Sequence, residues 1–178
     1  MNRIPKWATE EIVISPYSEQ WPLVAHELIT ELSKVFGSDA LAIEHIGSTS
    51  IPGLAAKPII DIMVMMKDFN TIDHNALRLT QAHSAWHLVP PELDERPWRR
   101  FVVKVVGDHR FAHLHLVPEG QQRWEEHITF REALRADPEL KAQYAEVKKE
   151  LAKVHRDDRE AYTDGKAEFI QSVLRMVN

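Results

Sequence analysis

His113 and His115 stand two residues apart inside the apolar run Phe111 to Val117. On a β-strand alternate side chains share a face, so both imidazoles point the same way. Such a pair can bind Zn²⁺ or another transition metal, neutralise a phosphate or shuttle protons. It can equally be a polar patch of sheet packed under helices, and no obvious fourth ligand completes a structural zinc site. Asp61 is the second candidate. It interrupts Pro58 to Met66, a short apolar segment bounded by turn residues that reads as a buried strand. A buried carboxylate needs a partner. A structural role would pair it with Lys57 or a nearby arginine; a functional one would place it on a divalent cation that also holds substrate phosphates.

The loop Gly47-Ser48-Thr49-Ser50-Ile51-Pro52-Gly53 lies about a dozen residues before that acid. Its glycines permit close backbone approach, and its hydroxyls and N–H groups suit phosphate oxygens. It is not a P-loop, because the Gly-Lys-Ser/Thr ending is missing. On composition it reads either as a phosphate cradle or as a plain turn. A basic run follows downstream. Arg96, Arg99, Arg100, Lys104 and Arg110 face only Asp108, a local charge of +4 in a chain whose formal charge is −5. With Trp98 and Phe101 interleaved, it suits either a solvated edge strand or a groove for an anionic ligand.

The elements that must position these residues follow from periodicity. Ile12 and Ile14 suggest a short strand ended by Ser15-Pro16. Trp21-Pro22 opens a helix whose apolar stripe is Leu28, Leu32, Val35 and Phe36, stopped by Gly37. Strands are expected over Ala40–Ile46, Pro58–Met66, Trp86–Val89, Phe101–Val106 and Phe111–Val117, the last two joined by a turn at Gly107-Asp108-His109. Asn70 reads as the cap of a helix with Ile72, Ala76 and Leu79 inward. Pro90 to Pro97 reads as a loop. After Pro118 the pattern turns helical. Helices are expected from Trp124 to Ala136 and from Pro138, the latter with Leu140, Tyr144, Val147, Leu151 and Val154 on one face. Asp157 with Glu160 reads as the capping box of a last helix through Met176. Lys148, Lys149 and the run Arg156 to Arg159 read as solvated surface. Met63, Met65 and Met66 read as core filler; Trp7, Trp21 and Trp124 as packing anchors. The expected organisation is one unit over residues 1–178. Its α/β part covers about 11–117, and a helical part of about 118–178 packs on the sheet.

The chain has 178 residues, no cysteine and ten histidines. That length suits one core without staples. The absence of cysteine excludes disulfides, cysteine-ligated metals and a cysteine nucleophile. No apolar run approaches the roughly 20 residues of a membrane helix, and Met1 to Glu11 lacks the apolar core of a signal peptide. The expectation is a soluble cytoplasmic protein with no membrane partner. The mild acidity argues against general nucleic-acid binding.

The stretch from Ile43 to Ile62, with Glu44, His45, the loop Gly47–Gly53, Lys57, Pro58 and Asp61, resembles the signature of the GrpB family. So do Tyr17 with Trp21-Pro22, the His113-Leu114-His115 strand, Phe130-Arg131, Pro138-Glu139-Leu140 and Asp158 through Lys166. The family belongs to the nucleotidyltransferase-fold superfamily typified by DNA polymerase beta, and similar domains extend some bacterial dephospho-CoA kinases. The resemblance implies an α/β (α+β) fold, a short mixed sheet flanked by helices, with the Gly-Ser loop opening onto a nucleotide cleft. It implies a nucleotide or related phosphorylated small molecule as partner, and nucleotidyl or phosphoryl transfer as the reaction class. Ser48, Thr49 and Ser50 would hold phosphate beside Gly47, Lys57 would add charge, and Asp61 would hold Mg²⁺ or Mn²⁺. His113 and His115 would complete the metal site, with Glu44 and His45 in support.

The chain departs from the superfamily's catalytic pattern, which puts two acids one residue apart after the Gly-Ser loop and a third on a later strand. The paired positions fall on Ile59 and Asp61, or on Asp61 and Met63, and the third on His113 or His115. One aspartate does not hold two cations about 4 Å apart. A single cation on Asp61, helped by Glu44 or a histidine, stays open. So does metal-free binding through Lys57, Arg100 and Arg110, a non-catalytic module working beside a coenzyme A kinase, or a transition-metal protein built on the histidines.

Overall fold

The structure is a computed structural model that describes residues 5–177. Its frame is a five-stranded mixed sheet in the order β1-β2-β5-β4-β3. The strands are β1 (Ala42–Ile46), β2 (Ile60–Met66), β3 (Trp86–Val89), β4 (Arg100–Val106) and β5 (His109–Pro118). Only β2 and β5 run parallel; the other neighbours are antiparallel. The β4–β5 hairpin closes on Gly107 and Asp108, with φ of 57° and 66°. Those angles are what a two-residue turn needs to match the twist of its strands.

Two helices, α1 (Gln20–Phe36) and α2 (Phe69–Ala82), cover one face of the sheet. In α1, Trp21, Ala25, Leu28, Leu32 and Phe36 recur every three or four residues and are buried. They pack with Ile72, Ala76 and Leu79 of α2 against Ile60, Ile62, Val64, Leu114 and Leu116. The period of two in each strand then sends Asp61, Met63, His113 and His115 to the opposite face. There α4 (Gln122–Ala136) seats Trp124 on Ile46, Met63 and Val117. A further apolar cluster joins α4, α5 (Pro138–Val154) and α7 (Ala167–Val177) to the loop after β1, through Leu134, Leu140, Tyr144, Val173, Ile51 and Leu54. Among the described residues no helix is long and apolar enough to cross a membrane.

Several sequence expectations are corrected. Ile12 and Ile14 form no strand; Ser15 instead makes a single bridge to Ala56. The cap of α2 is Asp68, whose carboxylate accepts from the Thr71 N–H at 2.8 Å, so Asn70 lies inside the helix. The loop from Pro90 contains a short helix, α3 (Pro91–Asp94). The basic strand β4 is interior, paired on both sides, and is no solvated edge. The last helix is two, α6 (Arg159–Gly165) and α7, and its cap is Asp158. Val154 is 72% exposed while Lys148 is 1% exposed, the reverse of their expected roles.

Candidate functional site

Asp61 sits on β2 opposite Ile46 of β1 and His113 of β5. Its Oδ1 lies 3.1 Å from His113 Nδ1 and 3.2 Å from His115 Nε2. Burial alone would raise the Asp61 carboxyl, but the hydrogen bonds from His113 and His115 outweigh it and hold the group well below the usual range. Burial pushes both imidazoles down to about 4, against the opposing pull of Asp61, so they are neutral near pH 7. The other oxygen, Oδ2, packs against Gly47. A Cβ built on Gly47 would fall 2.6 Å from Oδ2, and Gly47 has φ of 71°, so only glycine fits both demands.

The loop hydroxyls divide into two kinds. Thr49 and Ser50 are buried, and their side chains close the loop on itself. The Ser50 hydroxyl donates to Gly47 O at 2.6 Å, and Thr49 Oγ1 lies 2.9 Å from His45 Nε2. Ser48 is half-buried, and its side chain meets the hydroxyl of buried Tyr144. His45 is pushed down to about 4 by burial and stays neutral. Glu44 is committed to Arg131, whose Nη1 reaches its carboxylate at 2.7 Å and also donates to His45 O at 2.8 Å.

Of the expected phosphate-binding cations, Lys57 and Arg110 flank the cluster and Arg100 does not. Arg100 pairs with Leu116 in the ladder and therefore faces α2, where its Nε bonds Asp73 at 2.7 Å. Arg110 donates from Nε to Trp7 O at 2.9 Å, and its Nη1 lies 3.5 Å from His113 Nε2. Lys57 Nζ lies 4.7 Å from the Tyr162 ring centre, as does Lys166 Nζ. Burial first, and then the charges of Lys166, Arg159 and Arg110, push Lys57 down to about 7 against the pull of Asp61. Lys166 is lowered to about 8, chiefly by burial. Beside them a crevice of about 470 Å³ is lined by Glu10, Lys57, Ile59, Arg110, Phe111 and Arg159, among others. Arg159 meets Glu10 through Nη2, while its buried Nε and Nη1 have no hydrogen-bond partner.

Sequence reasoning named Arg99 only within the basic run and Arg159 and Lys166 only within the family-like tail, and it missed His127 and Lys148 as members of this region. Arg99 is buried, grips both oxygens of buried Asp94 at 2.9 and 2.6 Å, and touches His115 Nδ1. His127 of α4 brings its ring within 6.2 Å of that of His115, and burial pushes it down to about 3. Lys148 donates to Ala55 O and is lowered to about 7, by burial and then by Lys166 and Lys57. A signal existed for Lys148: it follows Leu140 and Tyr144 at a spacing of four and so shares their inward face.

The spacing of Asp61, His113 and His115, with one donor atom each within 4.8 Å of one another, is close enough for a single cation. Two ions do not fit, since Asp61 is the one carboxylate of the cluster. What the region offers more generously is positive charge with few acids to answer it.

A family model described as GrpB protein matches residues 11–176. A Bacillus subtilis protein, UPF0157 protein YqkA, is 36% identical over 91% of this chain, which spans only 45% of that relative's length. The Glutamate-rich protein GrpB of Alkalihalophilus pseudofirmus is 30% identical over 92% of this chain and 94% of its own. A dephospho-CoA kinase of Mycolicibacterium paratuberculosis is 24% identical, with the chain spanning 46% of it. Among solved structures, GrpB from Enterococcus faecalis superposes with a TM-score of 0.79 at 28% identity, covering 93% of this chain and 96% of that one. Terminal uridylyl transferase 4 from Trypanosoma brucei, solved with bound dUTP, gives a TM-score of 0.57 at 13% identity over 90% of this chain and 54% of its own. That likeness shows the nucleotidyltransferase fold.

Proposed function

The chain belongs to the GrpB family, and we propose that it binds a nucleotide or related phosphorylated small molecule where the sheet meets the helical half. The observation that carries this reading is the gathering of Lys57, Lys166, Arg110 and Arg159 beside Asp61, with two buried guanidinium nitrogens of Arg159 left unpaired. Buried polar groups are normally satisfied, so orphaned donors amid mutually repelling cations fit an anion that completes them. Ser48 and the turn after Gly47 would receive the phosphates, and the crevice beside Lys57 has room for the rest.

Calorimetric titration tests this with ATP, pyrophosphate and adenosine. ATP and pyrophosphate bind; adenosine, lacking the anion, binds much more weakly. Absence of heat from either anion at millimolar concentration sinks the reading. The kinase relative makes dephospho-CoA a fourth ligand for the same titration, and binding of it without turnover would suit a regulatory module.

Nucleotidyl or phosphoryl transfer is the second reading. It is favoured by Asp61 Oδ2, which has no hydrogen-bond partner among the described residues and can accept from a ligand hydroxyl. Product formed from ATP by the wild type but not by Asp61→Asn would establish it.

A further inference from the structure

We propose that the Asp61–His113–His115 cluster is arranged to refuse a divalent cation, so that the cleft takes its phosphorylated ligand as the free anion. The ligand half rests on the function proposed above; the cation half stands on the hydrogen bonding alone.

Arginine has donors and no acceptor. Arg99 Nη1 touches His115 Nδ1, so that nitrogen accepts and the ring proton of neutral His115 resides on Nε2. Nε2 lies 3.2 Å from Asp61 Oδ1. The same logic holds at His113, where Arg110 Nη1 faces Nε2 at 3.5 Å and the proton falls on Nδ1, 3.1 Å from Oδ1. Both imidazoles thus donate to one carboxylate oxygen.

A cation held by this trio would need lone pairs on His115 Nε2 and His113 Nδ1, the two atoms that carry the protons. Moving each proton to the far nitrogen would aim it at a guanidinium, donor against donor. Metal-bound histidines have the reverse surroundings: their far N–H is donated to a carboxylate, a carbonyl or water. Arg99 is not free to turn away. It is 8% exposed and Asp94 is 6% exposed, and a two-point ion pair joins them. Glu44 adds no ligand either, because Arg131 holds it. The charge that phosphoryl-transfer sites draw from metal ions is supplied here by Lys57, Lys166, Arg110 and Arg159.

Untagged, chelator-treated protein gives three readouts. Long-range proton–nitrogen spectra of the imidazoles at neutral pH show His115 protonated on Nε2 and His113 on Nδ1; the opposite tautomers overturn the proposal. Titration with Zn²⁺ or Mn²⁺ gives the same isotherm for wild type and Asp61→Asn, whereas tight binding lost in Asp61→Asn overturns it. Arg99→Met, freeing His115 Nδ1, tightens Zn²⁺ binding by about 10-fold, the size of a typical outer-shell effect. If the orphaned Asp94 prevents that variant from folding, Arg110→Met makes the same test at His113. Pyrophosphate binds in EDTA at least as well as in Mg²⁺; binding that appears only with Mg²⁺ overturns the proposal. Failure to bind in both buffers refutes the ligand reading instead, and the spectra and metal titrations still decide the cation half.

Discussion

The two faces of the sheet treat their lysines in opposite ways, although on the second face Arg99, Arg131 and Arg159 are paired with Asp94, Glu44 and Glu10. On the face under α1 and α2, Arg100 pairs with Asp73 at 2.7 Å and Lys104 with Glu31 at 2.8 Å, at the margins of an apolar core. On the other face Lys57, Lys148 and Lys166 have no carboxylate within salt-bridge distance among the described residues. Lys148 is satisfied by a backbone carbonyl, and Lys57 and Lys166 lie against an aromatic ring. Burying a cation without a counter-ion is unfavourable, so the second face carries a strain that the first avoids. On the function proposed above, the anion is held on the second face, and the first face serves stability alone.

The sharpest way to break this division is to damage each face in turn. Leu32 of α1 is fully buried against the sheet. Leu32→Ala lowers unfolding free energy by about 2–5 kcal/mol, read by denaturant titration. ATP affinity of the folded protein is unchanged; a parallel loss of affinity would show that the faces are not separable. Lys57→Met does the reverse. ATP affinity falls by about 10-fold or more, the scale of a charge-assisted hydrogen bond, while the thermal midpoint holds or rises because a crowded cation is gone. A lowered midpoint with unchanged affinity would make Lys57 structural.

The same contrast has a pH signature of two opposite signs. Lys57 and Lys148 titrate near 7 and Lys166 near 8 in the fold, all from 10.5 when unfolded. Between those limits the unfolded chain holds protons that the native state has released, so their contribution to stability grows as pH rises from about 7 towards 10.5. Anion binding needs the protonated lysines and weakens over the same rise. Pyrophosphate titrations and denaturant melts at pH 6, 7, 8 and 9 check both slopes. Affinity that is flat across this range would remove the lysines from the ligand.

How much of this was legible beforehand depends on which periodicity applied. Asp61, His113 and His115 could be placed together because strands alternate strictly, and one apolar run around each residue fixes its face. Gly47 could be singled out as a loop glycine, though its close approach to Asp61 could not. Lys148, Arg159 and Lys166 were obscured because a lysine or arginine on a helix is solvated far more often than buried. Only the spacing of Lys148 from Leu140 and Tyr144 betrayed it. Arg159 and Lys166 gained their places from the break between α6 and α7, of which Asp164-Gly165 inside the expected helix was the one sign. Arg99 is visible as charge, but its buried grip on Asp94 depends on α3, a four-residue helix inside a segment whose prolines and acids have the pattern of a loop. Of the resemblance, the fold was carried by the stretch from Ile43 to Ile62, whereas the ligand set was not.

Arg100 shows the limit most plainly and supplies the smallest predicted effect. Its charge and neighbours suited a phosphate ligand, yet one residue of register decides its fate. Phe101 lies opposite His115 and contacts both imidazole rings, while Arg100 lies opposite Leu116 and faces α2. Arg100→Met therefore removes a partly exposed ion pair to Asp73, 49% exposed at the carboxylate, and costs about 1 kcal/mol or less. Its ATP and pyrophosphate isotherms superpose on those of the wild type. A loss of affinity comparable to that of Lys57→Met would mean that the anion reaches the paired face, and the separation of stability from binding across this sheet would fail.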